Sequence, residues 1–383
     1  MSVIAFLSEP YSKTNNGFVS QKASVNFIKS CFDDDDVIVA GRLVKGGLES
    51  PSAYVSQDLF EELPNYDSIV DFFVKAIKDP FFIKKYIKRC FNILDKYPEA
   101  DIWVRNPSIG CLIFSYCALK RNRKLYNHMC ANAMRAWDGP KYTGFLKVIA
   151  YVFSRVLKSL VVSVVKDSRV VNLCTGDELY SFCKSLNANS YMLIDSNIKS
   201  INEKPIENNI KVFKFVFVGR VQEDKGIVEL LTAFCKLQGP FCLEVIGDGP
   251  LRLELQERFD LPNIDFVGQV QNDKLSSYFK EANALIVPSK NRYEGFPRVI
   301  LEAWSNTVPV IASEVGGVKA FVEDDYNGYL FDISDSNQLY HAMKRISDSN
   351  NYKRIMENCR NMHEITLEEY WVNKFKNIRK LQK

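Results

Sequence analysis

Residues 214–249, "KFVFVGRVQEDKGIVELLTAFCKLQGPFCLEVIGDG", point most directly to the fold class of this chain. Two short runs of β-branched and aromatic residues enclose a segment whose apolar residues have helical spacing. Each run ends at a glycine, Gly219 in the first and Gly247 in the second. This alternation predicts a βαβ unit, in which two parallel strands are joined by a right-handed crossover through a helix.

The same alternation extends along the rest of the chain. Short apolar runs predict further strands, separated by helical segments, at "VIAFLS" (3–8), "DVIVAGRLV" (36–44), "ADIWVRNPS" (100–108), "RKLYNHM" (123–129), "SRVVNLCT" (168–175), "IDFVGQV" (264–270), "NALIVPS" (283–289) and "VPVIAS" (308–313). We therefore expect an α/β protein with two Rossmann-like, doubly wound parallel-sheet domains that face each other across a cleft. Ligands should bind beyond the carboxyl ends of the strands.

The length of 383 residues favours two domains over one. A polar segment over 196–211 is poor in apolar periodicity, and we interpret it as the linker. The predicted domains are residues 1–200 and 201–365, followed by an amphipathic crossover helix over 366–383 whose pattern fits docking on either domain, including a return to the first.

The composition excludes several classes of protein. Hydrophobic residues make up 46% and charged residues 25% of the chain, as in soluble globular proteins. Ten cysteines without a CxxC pair and only three histidines predict a reduced, cytosolic interior without a disulfide framework or a zinc site. The N-terminus lacks the pattern of a signal peptide. The acidic run "DDDD" (33–36) is interpreted as a solvated turn rather than a metal site.

One stretch of the chain is strongly basic. Residues 75–169 contain 19 Lys or Arg and 6 Asp or Glu, which fits either contact with anionic lipid or a solvated helical surface. Within it, "FLKVIAYVFSRVLKSLVVSVV" (145–165) is apolar but carries Lys147, Arg155 and Lys158. We expect a helix with one wide buried face rather than a membrane span.

Charged residues and glycines follow the first two strands of the second half. In "VGRVQEDKG", Gly219 should relieve crowding where the chain leaves the sheet, while Arg220 and Lys225 suit either a diphosphate or solvent. In "VIGDGPLR", Gly247 and Gly249 lack the third glycine of the dinucleotide fingerprint. We interpret that pair as a tight turn near a base or ribose.

The stretch "RYEGFPRVILEA" (292–303) places an acid on each side of a predicted helix start. Pro297 suits the first helical position, which leaves Glu294 in the preceding loop and puts Glu302 in the second turn. The unbonded N–H groups of a helix start favour an anion, and Gly295 allows close approach. Each acid alone also fits a structural role, but together with the cations they favour a ligand site.

Two candidates lie in the first half of the chain. Gly17, in "SEPYSKTNNGFVSQ" (8–21), is predicted to form a turn that runs into a helix over 17–32 and to bring backbone N–H groups near a phosphate. His128 is expected to follow a strand and to face the cleft, where it fits either a functional or a structural role.

The motifs "GRVQEDKG", "IGDGPLR" and "VPSKNRYEGFPRVILEAWSNTVPVIASEVGGVKAFVEDDYNGYLF" (287–331) resemble retaining glycosyltransferases of family 4, which have the GT-B fold. The resemblance implies a first, acceptor-binding domain and a second domain that binds a nucleotide-sugar. It implies that Arg220 and Lys225 hold the diphosphate, Glu294 the donor sugar and Glu302 the ribose. It also implies that His128 lies beside the reacting centre and Gly17 near the phosphates.

The resemblance further implies donor contacts from Gly219, Gly247, Gly249, Val267, Gly295, Phe296, Pro297 and Arg298. It implies transfer with retention by front-face attack and no metal or other cofactor. The expected partners are a nucleotide-sugar donor, a saccharide or polyprenyl-linked glycan acceptor of bacterial surface polysaccharide synthesis, and an anionic membrane contacted from the cytoplasmic side, with no nucleic acid. An epimerase, a phosphorylase and an inactive nucleotide-binding scaffold are the alternatives.

Overall fold

The computed structural model of the protein describes residues 2–21, 24–32, 37–44, 52–139, 142–205 and 210–382. The chain divides into two compact units. The first unit contains Met1–Met134, Phe153–Asn197 and Trp371–Lys383, and the second contains Arg135–Val152 and Ile198–Tyr370. The division after Asn197 lies within the predicted linker, whereas residues 135–152 group with the second unit although the sequence places them in the first domain. The acidic run 33–36 lies outside the described residues.

The first unit is built on a sheet whose central strands are short and apolar. Its elements are β1 Val3–Thr14, β2 Gly17–Ser20, α1 Ser24–Cys31, β3 Val37–Leu43, β4 Ala53–Ser56, β5 Phe60–Glu62, α2 Ile69–Lys78, α3 Phe82–Lys96, β6 Asp101–Asn106, α4 Ile109–Lys120, β7 Leu125–Met129, α5 Gly144–Val165, β8 Val170–Cys174, α6 Asp177–Leu186 and β9 Ser190–Met192. Residues 144–152 of α5 group with the second unit. Parallel pairing gives the order β5-β3-β1-β6-β7-β8-β9. Helices α3 and α4 pack with the buried strand residues into one core.

Gly17 does not open a helix, so this prediction is wrong. It begins β2, which pairs antiparallel with the end of β1 and with β4. Helix α1 starts only at Ser24. The partner strand β4 lies over 30 residues further along the chain, and its register puts Gly17 opposite Ser56.

The second unit has the cleaner alternation of strands and helices. Its elements are β10 Phe213–Val218, α7 Ile227–Phe234, β11 Phe241–Ile246, α8 Arg252–Arg258, β12 Ile264–Gly268, α9 Leu275–Glu281, β13 Ala284–Val287, α10 Arg298–Ser305, β14 Val310–Ser313, β15 Gly328–Phe331, α11 Ser336–Ile346, α12 Ser349–Arg360, α13 His363–Thr366 and α14 Glu368–Leu381, the last of which continues into the first unit. The described strands form a parallel sheet in the order β12-β11-β10-β13-β14-β15. This is the Rossmann order, which reverses direction between β10 and β13.

Helix α14 completes the first unit after the chain has passed through the second. Phe375 packs against Phe32, Trp103 and Tyr126, at ring-centroid distances of 5.0–5.3 Å. The Arg379 guanidinium donates to the Asp101 carboxylate at 2.6 Å. These contacts group the last turns of α14 with the first unit.

Helix α5 differs from its predicted form. Its buried residues are Ser154, Leu157, Val161, Val164 and Val165, none of them in its first ten residues. Residues 144–149 are exposed, so the wide buried face expected of this helix is absent from its first six residues. Among the described residues, α5 is the one helix that is long and apolar enough to cross a membrane.

Candidate functional site

Two loops of the second unit meet at the point where the strand order reverses. Because β10 and β13 pair directly, the loops after Val218 and after Val287 leave the same edge of the sheet side by side. The Lys225 ammonium in the first loop donates to both carboxylate oxygens of Glu294 in the second, at 2.9 and 2.8 Å. Both side chains are half-buried. The structure therefore brings two of the predicted site residues together.

Glycines set how closely these loops approach each other. Gly226 has a φ of +67°, and a Cβ on it would overlap the carbonyl oxygen of Pro288 in the neighbouring loop. Gly316 has a φ of +60°, and a Cβ there would overlap the carbonyl oxygen of Glu294. The Gly317 N–H also donates to the Gly295 carbonyl at 3.1 Å. Only glycine fits these positions, which fixes the backbone on both sides of Glu294.

A polar network that the sequence analysis missed supports the Glu294 loop. The buried Asn291 amide oxygen accepts from the N–H groups of Tyr293 and Glu294, at 3.1 and 3.2 Å. Its amide nitrogen donates to the Asp224 carboxylate in the loop that carries Lys225, at 3.4 Å. The Ser289 hydroxyl donates to Glu294 at 3.4 Å. The available signal was the run of polar residues directly after β13, where a parallel sheet places its ligand-binding loops.

Arg220 lies near this site with its side chain exposed. Burial raises the pKa of the Tyr293 phenol, the Asp224 and Glu294 carboxylates raise it further, and the Arg220 guanidinium lowers it. Arg220 and Glu294 are thus both within electrostatic reach of one side chain. The two loops present one guanidinium and one ammonium beside an acid, which suits a ligand with a diphosphate and adjacent hydroxyls.

Helix α10 follows Glu294 and begins one residue later than expected. Pro297 is the residue before the helix, with a φ of −66° and an extended ψ of 114°, and Arg298 is the first helical residue. The Phe296 side chain is buried against Trp304 and Phe321, so only its backbone faces the loop's surroundings. Arg298 is exposed.

Glu302 lies in the second turn of α10 and is half-buried. Burial raises the pKa of its carboxyl, and nearby Arg298 opposes that shift. Among the described residues, none forms a hydrogen bond or a close ion pair with this carboxylate. A partly desolvated carboxylate without a bonded partner is suited to accept hydrogen bonds from a diol.

The remaining predicted donor contacts lie at the ends of β10, β11 and β12. A Cβ on Gly247 would overlap the Gly219 carbonyl oxygen, and one on Gly249 would overlap that of Val221. A Cβ on Gly219 would have room, because its nearest neighbour, the Phe217 ring, would be 3.5 Å away. The prediction that Gly219 relieves crowding is therefore wrong, because the crowded residue is Gly247. Val267 is half-buried in β12.

The two candidates from the first half lie in the first unit. His128 does not follow a strand but is the fourth residue of β7, and it is 1% exposed. Its Nε2 is 3.1 Å from the Thr175 hydroxyl, and its ring packs edge-on against Trp103. A Cβ on Gly17 would overlap the Val55 carbonyl oxygen, so β-sheet pairing explains this glycine. Neither residue presents a side chain to solvent within its own unit.

The described residues contain no group of three His, Cys, Asp or Glu side chains placed to hold a metal ion. At the switch point, where the strand order reverses, the loops bring together basic side chains and carboxylates. Their geometry matches recognition of an anionic ligand with hydroxyl groups.

Comparison with known proteins agrees with this geometry. Residues 199–362 match the family model described as glycosyl transferases group 1. This segment, called the group 1 domain, is similar to the glycosyltransferases of that family. It contains every candidate residue of the second unit, and the family resemblance predicted from the sequence is confirmed there.

The chain spans only about half the length of the curated relatives that it matches. An uncharacterized glycosyltransferase of Methanocaldococcus jannaschii is 30% identical over 157 residues, which cover 38% of this chain and 44% of that protein. An Escherichia coli enzyme is 25% identical over 214 residues, which cover 54% and 51%. Its name is UDP-Gal:alpha-D-GlcNAc-diphosphoundecaprenol alpha-1,3-galactosyltransferase.

Solved structures extend the likeness beyond the group 1 domain. Sucrose-phosphate synthase from Thermosynechococcus elongatus superposes with a TM-score of 0.72 at 17% identity, over 100% of this chain and 99% of that chain. At this identity the likeness shows the fold. The predicted GT-B fold class with two Rossmann-like units is thereby confirmed.

Proposed function

We propose that the protein is a retaining glycosyltransferase that moves a sugar from a nucleoside-diphosphate sugar to a saccharide or polyprenyl-linked glycan in bacterial surface polysaccharide synthesis. The observation that carries the proposal is the contact between Lys225 and Glu294 at the switch point of the group 1 domain. The name of the Escherichia coli relative, with a UDP-sugar donor and a diphosphoundecaprenol-linked acceptor, supports these substrate classes. We place the reaction in the cytoplasm.

Each side chain has a role in this proposal. Arg220 and Lys225 neutralise the diphosphate, with a planar fork from one and a compact charge from the other. Glu294 accepts hydrogen bonds from the donor sugar, and the N–H groups near Gly295 face the phosphates. Glu302 accepts from the ribose hydroxyls. The Lys225 ammonium also bonds Glu294 and so orients that carboxylate.

The reaction is a substitution at the anomeric carbon. The bond from that carbon to the phosphate oxygen breaks, and its electron pair leaves with the nucleoside diphosphate. The acceptor hydroxyl forms the new bond on the same face, and its proton passes to the departing phosphate oxygen. Arg220, Lys225 and the start of α10 stabilise the charge that develops on the leaving group, and we propose that no metal or other cofactor takes part.

Paired variants test this proposal. We expect purified protein to bind UDP or GDP in calorimetric titrations and to release nucleotide from the matching nucleotide-sugar when a polyprenyl-diphosphate-linked saccharide is added. Lys225→Ala and Glu294→Ala should lower the transfer rate by about 10²–10³-fold, as expected for loss of groups that stabilise a transition state.

The matched control is Lys290→Ala, which removes another lysine that pairs with a glutamate, Glu229, beside the same loops. This variant should keep the transfer rate of the parent protein. Rates near the parent value in Lys225→Ala and Glu294→Ala would disprove the site assignment. Conversion of the nucleotide-sugar to its epimer without net release of nucleotide would support the epimerase instead. Release of sugar 1-phosphate from a glycan on addition of phosphate would support the phosphorylase.

A further inference from the structure

The loop that carries Glu294 is joined to the loop that carries Lys225 by a second contact, made by an asparagine. The amide nitrogen of Asn291 donates to the Asp224 carboxylate, in the Lys225 loop, at 3.4 Å. The amide oxygen of Asn291 accepts from the N–H groups of Tyr293 and Glu294, at 3.1 and 3.2 Å. One side chain that is 3% exposed therefore connects the residue before Lys225 with the main chain of Glu294.

An amide matches both neighbours of Asn291. The Asp224 carboxylate offers only acceptor atoms, and the main chain of the Glu294 loop offers two donors. An amide nitrogen donates to the first, and an amide oxygen accepts from the second. A carboxylate at position 291 would face the Asp224 carboxylate, and an aliphatic side chain would leave the two N–H groups without this acceptor. The residue type at position 291 is therefore set by the two loops that it joins.

Asp224 is itself held from two directions. The Gln222 amide nitrogen donates to one of its carboxylate oxygens, and Asn291 donates to the other. The main-chain carbonyl of Asp224 accepts from the Lys290 N–H at 2.8 Å. Both the side chain and the main chain of Asp224 thus bond the Glu294 loop, which fixes the distance between the two loops.

The contact through Asn291 is independent of the groups that are assigned to the donor. In the proposed function Lys225 bonds the diphosphate, so its ammonium cannot alone define where Glu294 lies. Asn291 bonds the main chain of Glu294 rather than its carboxylate, and so leaves the carboxylate oxygens to other partners. A group that binds substrate has to be held by groups that do not, because a displacement of about 1 Å can cost about 100-fold in rate.

A second buried asparagine in the same unit serves as a structural reference. Asn283 precedes β13, where its amide oxygen accepts from the Lys214 N–H at 2.7 Å and its nitrogen donates to the Tyr352 hydroxyl at 3.3 Å. Asn283 and Asn291 are each 3% exposed, and each bonds a main-chain N–H and a side chain of another segment. The two residues differ in position, because Asn291 follows the carboxyl end of β13, where ligand-binding loops leave a parallel sheet.

We propose that Asn291 and Asp224 are positioning residues that together hold the Glu294 carboxylate where it bonds the donor sugar. The inference rests on the proposed function, in which Glu294 binds the sugar while Arg220 and Lys225 bind the diphosphate. It adds two residues that contact no part of the donor and act through Glu294.

Loss of the Asn291 side chain should affect the two halves of the donor differently. The Lys225 loop keeps its main-chain bond to Lys290 and the close approach of Gly226, because neither involves the Asn291 amide. The main chain of Glu294 loses its side-chain acceptor. We therefore expect the rate of sugar transfer to fall while the affinity for nucleoside diphosphate is kept.

Asn291→Ala tests this difference in the full chain. The transfer rate at saturating nucleotide-sugar should fall at least about tenfold, whereas the dissociation constant for UDP or GDP should stay within about twofold of the parent value. The matched control is Asn283→Ala, which removes an equally buried amide at the other end of β13. It should lower the melting temperature about as much as Asn291→Ala does, and it should keep the parent transfer rate. All rates are measured at a temperature where melting curves show every variant to be folded.

An exchange of the two side chains tests whether they act as a pair. In Asn291→Asp two carboxylates face each other, and the transfer rate should fall at least about tenfold. Adding Asp224→Asn restores a donor and an acceptor, since the amide nitrogen at position 224 then faces the carboxylate at position 291. The amide oxygen at position 224 can still accept from Gln222. The double variant should therefore recover the transfer rate to within about threefold of the parent value.

Four results would each overturn the inference. They are a parent transfer rate in Asn291→Ala, a loss of UDP or GDP affinity as large as its loss of rate, an equal loss of rate in Asn283→Ala, and a double variant no faster than Asn291→Asp. A parent protein that binds neither UDP nor GDP, or that transfers no sugar, would overturn the proposed function and this inference with it. If the parent protein does both and Asn291→Ala does so equally well, this inference alone is wrong.

Discussion

The strand-end loops of the two units differ in what they leave accessible. In the second unit, Gly226 and Gly316 let two loops pack backbone against backbone, and the charged ends of Lys225 and Glu294 meet outside the core. In the first unit, the candidate His128 is inside a strand and hydrogen-bonded to Thr175. This difference indicates that a ligand-binding site is marked by two features in combination. Glycines hold its loops close to each other, and those loops expose charged side chains. A rare residue type near a strand end does not carry the same information.

The largest expected effect comes from removing the close approach of the loops. Gly226→Ala should lower the free energy of unfolding by about 3 kcal/mol or more, because it adds a residue strained at φ +67° and a methyl group that overlaps the Pro288 carbonyl oxygen. Nucleoside diphosphate binding should be lost, since Lys225 is the preceding residue. Urea unfolding and calorimetric titration measure both quantities.

Gly219→Ala is the matched control for this substitution. It also adds one methyl group at a loop after β10, but the nearest atom would be 3.5 Å away. Its effect on the free energy of unfolding should stay below about 1 kcal/mol. If Gly226→Ala and Gly219→Ala lower the free energy of unfolding equally, close packing at Gly226 does not hold the loops of the second unit together.

A smaller effect is expected in the first unit. His128→Ala should lower the free energy of unfolding by about 2 kcal/mol, because it removes the bond to Thr175 and the ring contact with Trp103. Affinity for nucleoside diphosphate should not change. Urea unfolding and titration at a temperature where the variant is folded give both numbers.

His341→Ala provides the control, because His341 is exposed on α11 and its loss should change stability by less than about 0.5 kcal/mol. A His128→Ala protein with parent stability and a transfer rate reduced over a hundredfold would reverse the structural interpretation. It would restore the role that the family resemblance implies for this residue.

The strand and helix alternation of the second unit could be predicted from sequence because each element is short and contiguous in the chain. The predicted runs at 214–220, 241–249, 264–270 and 283–289 each overlap one of the strands β10 to β13. The cations and acids of the site could be predicted as well, because parallel strands bring their carboxyl ends to one edge. The order of the strands then places Lys225 beside Glu294.

Features that depend on distant partners were not predictable in the same way. Gly17 begins a strand that pairs with the end of β1 and also with β4, which the chain supplies from residues 53–56. The pattern of 145–165 shows an apolar helix, but nothing in that segment tells which of its residues the fold covers. Asn291 supports the site through Asp224, a residue 67 positions earlier in the chain. Each of these outcomes is set by tertiary contacts that no local window contains.

The smallest expected effect concerns Glu302 and has opposite signs for stability and binding. Burial raises the pKa of this carboxyl in the folded protein. The folded state therefore holds its proton more tightly than the unfolded state, and stability falls as pH rises through the ordinary glutamate range toward the raised value. Glu302→Gln removes that penalty, so it should be slightly more stable than the parent protein at pH 7. The gain should disappear below about pH 4, where the carboxyl is protonated in both states.

The same substitution should weaken nucleoside diphosphate binding several-fold, because an amide oxygen is a poorer acceptor for ribose hydroxyls than a carboxylate. Urea unfolding at pH 4 and pH 7 and titration with UDP or GDP measure the two effects. Glu254→Gln on the exposed face of α8 should change neither. If Glu302→Gln gains stability and loses affinity, the Glu302 carboxylate is held partly desolvated at a cost in stability so that it can bind a ligand. Loss of stability with unchanged affinity would make Glu302 a structural helix acid and would leave Glu294 as the acid of this helix start that faces the donor.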